Sequence, residues 1–79
     1  MVAERVRVFS TPACPACRDA KNFLKESDVE FEEVDVAEDK LSAMLLVQRT
    51  GQRRVPVIEV DGKLIVGFDE VAVKQALGV

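Results

Sequence analysis

Residues 5–17 read RVRVFSTPACPAC, and they decide the fold. Arg5 to Phe9 alternates polar with apolar side chains and then turns continuously apolar, which predicts a Val-rich strand. Ser10-Thr11-Pro12 breaks it. From Pro15 to Glu26, the residues Ala16, Ala20, Phe23 and Leu24 recur at steps of three and four. That spacing predicts a helix with those four on its inner face. Pro15 suits the first helical turn, where no intrahelical donor is lost. Cys14 and Cys17 therefore stand where a strand hands over to a helix.

Beyond this junction the periodicity keeps switching. Glu30 to Val36 (EFEEVDV) predicts a second strand with Val34 and Val36 on one side. Asp39 to Thr50 predicts a second helix, with Leu41, Met44, Leu45 and Gln48 (or Val47) as its inner stripe and Gly51 as its stop. The runs VPVIEV and KLIVG flank Asp61-Gly62, a strong signal for a two-residue hairpin whose type I′ turn needs positive φ at both positions. Asp69 can cap a last helix running to about Leu77, with Gly78 after it.

The order is β-α-β-α-β-β-α. The first β-α-β predicts a right-handed parallel crossover, and the hairpin adds two antiparallel strands. The expected class is α/β: a four-stranded mixed sheet flanked by three helices, as in the smallest thioredoxin-type domains. With 79 residues, the chain is read as a single domain, 1–79. The order alone is shared by other small α/β folds, so function has to be argued from the site.

Composition removes several classes. The chain is 48% hydrophobic and 32% charged, with few Gly and Pro, which excludes disorder and fibrous structure. Its net charge is −3, and its only basic cluster is Arg49, Arg53 and Arg54, so nucleic acid is not an expected partner. MVAERVRVFS carries charge by Glu4 and has no apolar core of a signal peptide. No apolar run approaches the roughly 20 residues that span a membrane. The expectation is a cytoplasmic monomer. In that reducing compartment a cysteine pair serves redox or metal chemistry rather than a permanent disulfide.

The position of the pair gives it chemistry. A helix N-terminus presents unpaired N–H groups and partial positive charge. That field favours a thiolate, the species that attacks disulfides. Helical spacing places Cys17 behind Cys14, and Pro15 stiffens the loop between them. Cys14 is therefore read as the exposed attacking thiol, and Cys17, facing inward with Ala20 and Phe23, as the resolving thiol. No bound cofactor is required. The rival readings are a non-enzymatic interaction module and a metal or iron–sulfur site shared between chains. Zinc wants four ligands, and the chain has no other Cys and no His. Val55-Pro56 opens the third strand; it is either a strand-start proline or a cis peptide that leaves the Val55 backbone free to pair with an incoming chain.

Three strings in order, FSTPACPAC, GQRRVPV and VDGKLIVGFDE, resemble the glutaredoxin family, and more closely its short bacterial and archaeal redoxins. The resemblance runs from about Arg5 to Leu77. It implies the thioredoxin fold, a nucleophilic Cys14, a resolving Cys17 and a cis Pro56 facing them. It implies reduction of protein or small-molecule disulfides, with glutathione as a co-substrate. In that likeness Gln52 contacts the glycine end of glutathione, the Val55 backbone pairs with its cysteinyl part, and Phe68 and Asp69 hold its γ-glutamyl end. Thr11 stands where many members carry Lys or Arg, and Arg53 or Arg54 would stand in for that cation. Ala16 replaces an aromatic residue, and Arg54 replaces the Thr before Val-Pro. Gly67-Phe68 is similar to redoxins that take electrons from thioredoxin reductase and feed enzymes such as ribonucleotide reductase. The implied partners are therefore disulfide-containing proteins and one of two electron sources, glutathione or thioredoxin reductase.

Overall fold

Seven elements form in the predicted order. A computed structural model of the protein describes residues 5–52 and 54–78. The elements are β1 (Val6–Ser10), α1 (Pro15–Glu26), β2 (Glu32–Asp35), α2 (Lys40–Thr50), β3 (Val57–Val60), β4 (Lys63–Val66) and α3 (Glu70–Leu77). β1 begins and ends one residue later than Arg5–Phe9, and β2 is shorter than Glu30–Val36. The sheet order is β2-β1-β3-β4, with β1 parallel to β2 and antiparallel to β3, and β3 antiparallel to β4. The hairpin turn has φ 48° at Asp61 and 91° at Gly62, the positive pair that a type I′ turn demands.

The register collects the loops that matter. Phe9 pairs with Val57 and Val57 with Val66. The C-terminal ends of β1 and β4 and the N-terminal end of β3 thus share one edge of the molecule. Three segments emerge there: the loop carrying Cys14, the dipeptide Val55-Pro56 and the turn at Gly67-Phe68. The Gly67 N–H donates to the Pro56 carbonyl at 2.7 Å, tying two of them together.

Alternation along the strands builds a core on each face. On one face Val8, Ile58 and Val60 pack with Ala20 and Leu24 of α1 and Val73 and Leu77 of α3. On the other, Phe9 and Val57 meet Leu46 of α2, with Val34 and Val36 beside them. Ala16 is exposed, contrary to its predicted place on the inner face; Cys17 is buried there instead. Ala16 sits in the first turn, before the helix reaches the sheet.

The inner stripe of α2 also differs from prediction. Leu41, Met44, Leu45 and Gln48 point outward, and Ala43, Leu46, Val47 and Thr50 point in, so of the expected stripe only Val47, the alternative to Gln48, faces the sheet. The phase is set by a charge. Glu59 is buried in β3. Arg7, its cross-strand neighbour, pairs with its Oε1, and Arg49 of α2 donates to its Oε2 at 2.7 Å. Only one rotation of α2 brings Leu46 onto Phe9 and Val57 while Arg49 reaches Glu59, because residues three apart share a face. A buried carboxylate left unpaired would cost several kcal/mol, on the order of that of a broken buried ion pair, and the observed phase avoids that cost while still burying Leu46.

Burial alone would raise the Glu59 pKa, but the guanidinium groups of Arg49 and Arg7 more than reverse this and hold it below the ordinary carboxylate value. A depressed folded-state pKa contributes stability that is present above the unfolded value, about 4.3, and is lost as pH falls through the lower folded value. Glu59→Gln should therefore be less stable than the native chain at pH 7. Its urea midpoint should also fall less between about pH 5 and pH 3. Equal acid slopes for the two chains would show that Glu59 is not the group responsible.

Candidate active site

Cys14 is the N-cap of α1. Its backbone is extended (φ −110°, ψ 108°), and its Sγ accepts the Cys17 backbone N–H at 3.2 Å. That donor is one that a helix start leaves without an intrahelical acceptor. The sulfur thus occupies the place a capping serine or aspartate oxygen would take, and negative charge there is favoured by the helix dipole. Pro15 follows within the first turn. Cys14 Sγ also lies 3.9 Å from the Val55 carbonyl across the molecule, a long thiol contact to the strand entrance. The Val55-Pro56 peptide is cis. Both cysteines are free thiols.

The two sulfurs differ in environment. Cys14 is half-buried and Cys17 is fully buried. Burial first, and then a hydrogen bond to Cys14, push the Cys17 thiol up to about 11; the Thr11 backbone and the Lys21 charge act in the opposite direction. Lys21 lies one turn beyond Cys17, and its ammonium bonds Glu33 of β2 at 2.7 Å. The arrangement keeps Cys17 protonated at neutral pH behind the more accessible Cys14. A shallow depression of about 260 Å³ opens at Cys14, lined by Pro12, Ala13, Pro15, Arg18 and Asp19.

The structure joins the predicted residues unevenly. Cys14, Cys17, Val55 and the backbone of Thr11 meet around the sulfurs. Gln52, Phe68 and Asp69 do not line the depression. Gln52 is held by Thr50, whose hydroxyl lies 2.7 Å from the Leu46 carbonyl and 2.9 Å from that of Gln52. Phe68 stacks at a tilt on Phe23, ring centres 5.7 Å apart. Asp69 caps α3 by accepting the Ala72 N–H at 3.2 Å. Arg54 is exposed, and Arg53, the other candidate cation, lies outside the described residues.

Two contributors escape the sequence reading. Lys21 is findable in principle, since residues four apart on a helix are neighbours. Thr50 is findable too, since a Thr hydroxyl near a helix end bonds the carbonyl four residues back and the backbone two residues on. Among the described residues no group of three or more Cys, His, Asp or Glu could hold a metal ion. No helix among them is long and apolar enough to cross a membrane.

Comparison with known proteins agrees with this geometry. The glutaredoxin family model matches residues 6–65. A glutaredoxin-like 8.6 kDa protein of the rubredoxin operon of Clostridium pasteurianum is 35% identical over 72 residues, covering 91% of this chain and 96% of that one. Glutaredoxin 3 of Escherichia coli is 29% identical over 73 residues, covering 92% and 88%. Among solved structures, the thioredoxin-like protein BC3987 superposes with a TM-score of 0.86 at 32% identity, covering 92% of this chain and 100% of its own. A thiol pair on a helix start, a thioredoxin-like sheet and a family match over most of the sequence lead to one conclusion: the chain belongs to the glutaredoxin family.

Proposed function

We propose that the protein reduces protein or small-molecule disulfides through the Cys14/Cys17 dithiol. The observation that carries this reading is the asymmetry of the two sulfurs. Cys14 is accessible and receives a helix N–H, whereas Cys17 is buried behind it with a raised pKa. In the first step the Cys14 thiolate attacks one sulfur of the substrate. A new S–S bond forms, the substrate's own bond breaks, and the leaving thiolate takes a proton. In the second, Cys17 loses its proton and attacks Cys14 Sγ, releasing the second substrate thiol. The chain is left with a Cys14–Cys17 disulfide, and two electrons from an external reductant restore the dithiol. Chemistry of this kind belongs in a reducing compartment such as the cytoplasm.

The reductant is either glutathione or a thioredoxin reductase. Gln52, Val55, Phe68 and Asp69 are the proposed contacts for glutathione. Gly67-Phe68 together with Thr11, in place of a cation, supports the reductase-fed reading, with an enzyme such as ribonucleotide reductase as the recipient of the electrons. Disulfide reductase turnover measured in parallel with glutathione plus glutathione reductase, and with NADPH plus thioredoxin reductase, tests both. Cys14-dependent turnover with either supply supports the proposal and names the donor. Folded, metal-free protein silent with both overturns it.

A further inference from the structure

One charged residue stands in the buried row of α1. Cys17, Ala20, Lys21 and Leu24 fall at steps of three and four and so share one face of the helix. Cys17, Ala20 and Leu24 are fully buried there, and the side chain of Lys21 is only 22% exposed. Its ammonium crosses to β2 and bonds Glu33 at 2.7 Å. The register explains the meeting. Glu33 pairs with Val8, which belongs to the core cluster under α1, so Glu33 lies on the α1 face of the sheet. The residues that β3 and α3 bring to that cluster, Ile58, Val60, Val73 and Leu77, are apolar. The other charges nearby are engaged elsewhere or turned away. Asp35, two residues further along β2, accepts the Ala37 N–H. Arg7 of β1 and Glu59 of β3 pair with each other and with Arg49, on the α2 face. Lys74 of α3 lies over Phe23, on the other flank of α1. Arg18 and Asp19 line the depression at Cys14, and Lys25 is exposed.

We propose that Lys21 is a positioning residue for the resolving step: held by Glu33 on the inner face of α1, one turn from Cys17, its ammonium stabilises the negative charge that Cys17 Sγ takes on before it attacks Cys14. Lys21 has this role only if the dithiol reading above holds. In the resolving step the Cys17 proton passes to water. A bond then forms between the two sulfurs, and the substrate sulfur leaves with the electron pair of the broken bond and takes up a proton. The difficult species is the Cys17 thiolate, because burial disfavours the charged form. Among the described residues Lys21 is the cation that acts on Cys17, against the raising effects of burial and of Cys14. Cys14 stands a further turn from Lys21, and its sulfur is served by the helix start, so the first step depends on Lys21 less. Glu33 has two effects of opposite sign. Its carboxylate keeps the ammonium in place, and its own negative charge weakens the field at Cys17.

Stopped-flow release of a coloured aryl thiolate from an aromatic disulfide, followed from about pH 6 to pH 9, separates the two steps on either side of neutrality. Three variants test the proposal, with thermal unfolding as the check on folding. Lys21→Met keeps the aliphatic stem on the inner face and removes the charge. It should slow the second phase about two- to fivefold at pH 7 and move its pH dependence upward, with the first phase changed less than about twofold. Lys21→Arg restores the charge and should recover most of the native second phase. Glu33→Gln leaves an amide oxygen that accepts from the ammonium but removes the opposing charge, so it should move the pH dependence downward. A mere tether between α1 and β2 would instead make Lys21→Met and Glu33→Gln alike, and Lys21→Arg would have no particular effect on the pH profile. A second phase indifferent to Lys21→Met, unrecovered by Lys21→Arg, or slowed by Glu33→Gln as much as by Lys21→Met would overturn the inference and leave the dithiol reading standing. A native chain with no second phase would overturn both.

Discussion

Native protein mixed with excess aromatic disulfide of the Ellman type should release its coloured thiolate in two phases, whereas Cys17→Ser should show only the first and remain as a stable mixed disulfide. The first phase is attack by Cys14 and the second is displacement by Cys17. Cys14→Ser should lose the fast phase by at least about a thousandfold, since a serine hydroxyl is not ionised at neutral pH and Cys17 is out of reach of solvent. The intact mass of Cys17→Ser should rise by one aryl thiol. The same adduct on Cys14→Ser, formed at the native rate, would reverse the roles of the two sulfurs.

The pH dependence of the second phase carries a sharper expectation. The free Cys17 thiol is pushed up to about 11, and after burial the hydrogen bond and charge of Cys14 are among the causes. Once Cys14 is bound into the mixed disulfide it no longer carries that charge, so those two contributions vanish. The raising effect of burial remains, as do the lowering effects of the Thr11 backbone and Lys21. The Cys17 pKa is therefore expected to be lower in the intermediate than in the free dithiol. The rate of the second phase should rise with pH toward a midpoint below the one for alkylation of Cys17 in the free dithiol. Coincident midpoints would mean that burial alone sets its reactivity.

Much of this site is legible in the sequence because its parts are local. Cys14, Pro15 and Cys17 are neighbours in the chain, and a strand-to-helix switch places them at a dipole with no long-range information. The hairpin at Asp61-Gly62 is equally local, since two positive φ angles are a demand on two residues. What hydropathy cannot supply is the phase of α2. Leu41, Met44, Leu45 and Gln48 satisfy helical spacing as well as Ala43, Leu46, Val47 and Thr50 do, and they are larger. The choice between them is made by Glu59, ten residues beyond Arg49, and by the need to surround its carboxylate with Arg7 and Arg49. The signal is present in VPVIEV, where one acid interrupts an apolar run. A buried Glu in such a run calls for a paired cation, but finding which cation requires the sheet register. Ala16 misleads for a different reason. Its spacing is right, but the helix meets the sheet only from Cys17 onward.

The largest effect on stability is expected at Leu24. This residue is fully buried in the cluster that joins α1 and α3 to the sheet, among Val8, Ala20, Ile58 and Val73. Leu24→Ala removes the transfer energy of the side chain and leaves a cavity between elements that cannot close over it, a cost of about 3 kcal/mol. For a domain of this size that corresponds to a melting temperature lower by about 10–25 °C. It also removes a large share of a total stability of about 4–12 kcal/mol. Val71→Ala, at an exposed position of α3, should change stability by no more than about 0.5 kcal/mol. The comparison separates loss of packing from loss of chemistry. Leu24 lies two turns along α1 from Cys17, and the cluster it packs in contains neither cysteine. Folded Leu24→Ala at low temperature should therefore keep both phases of thiol release at the native stoichiometry, with its urea midpoint lowered and its slope unchanged. Similar midpoints for Leu24→Ala and Val71→Ala would mean that the α1–α3 face is not where the fold is held. Native stability with altered thiol release would instead place Leu24 in the chemistry, where the geometry gives it no part.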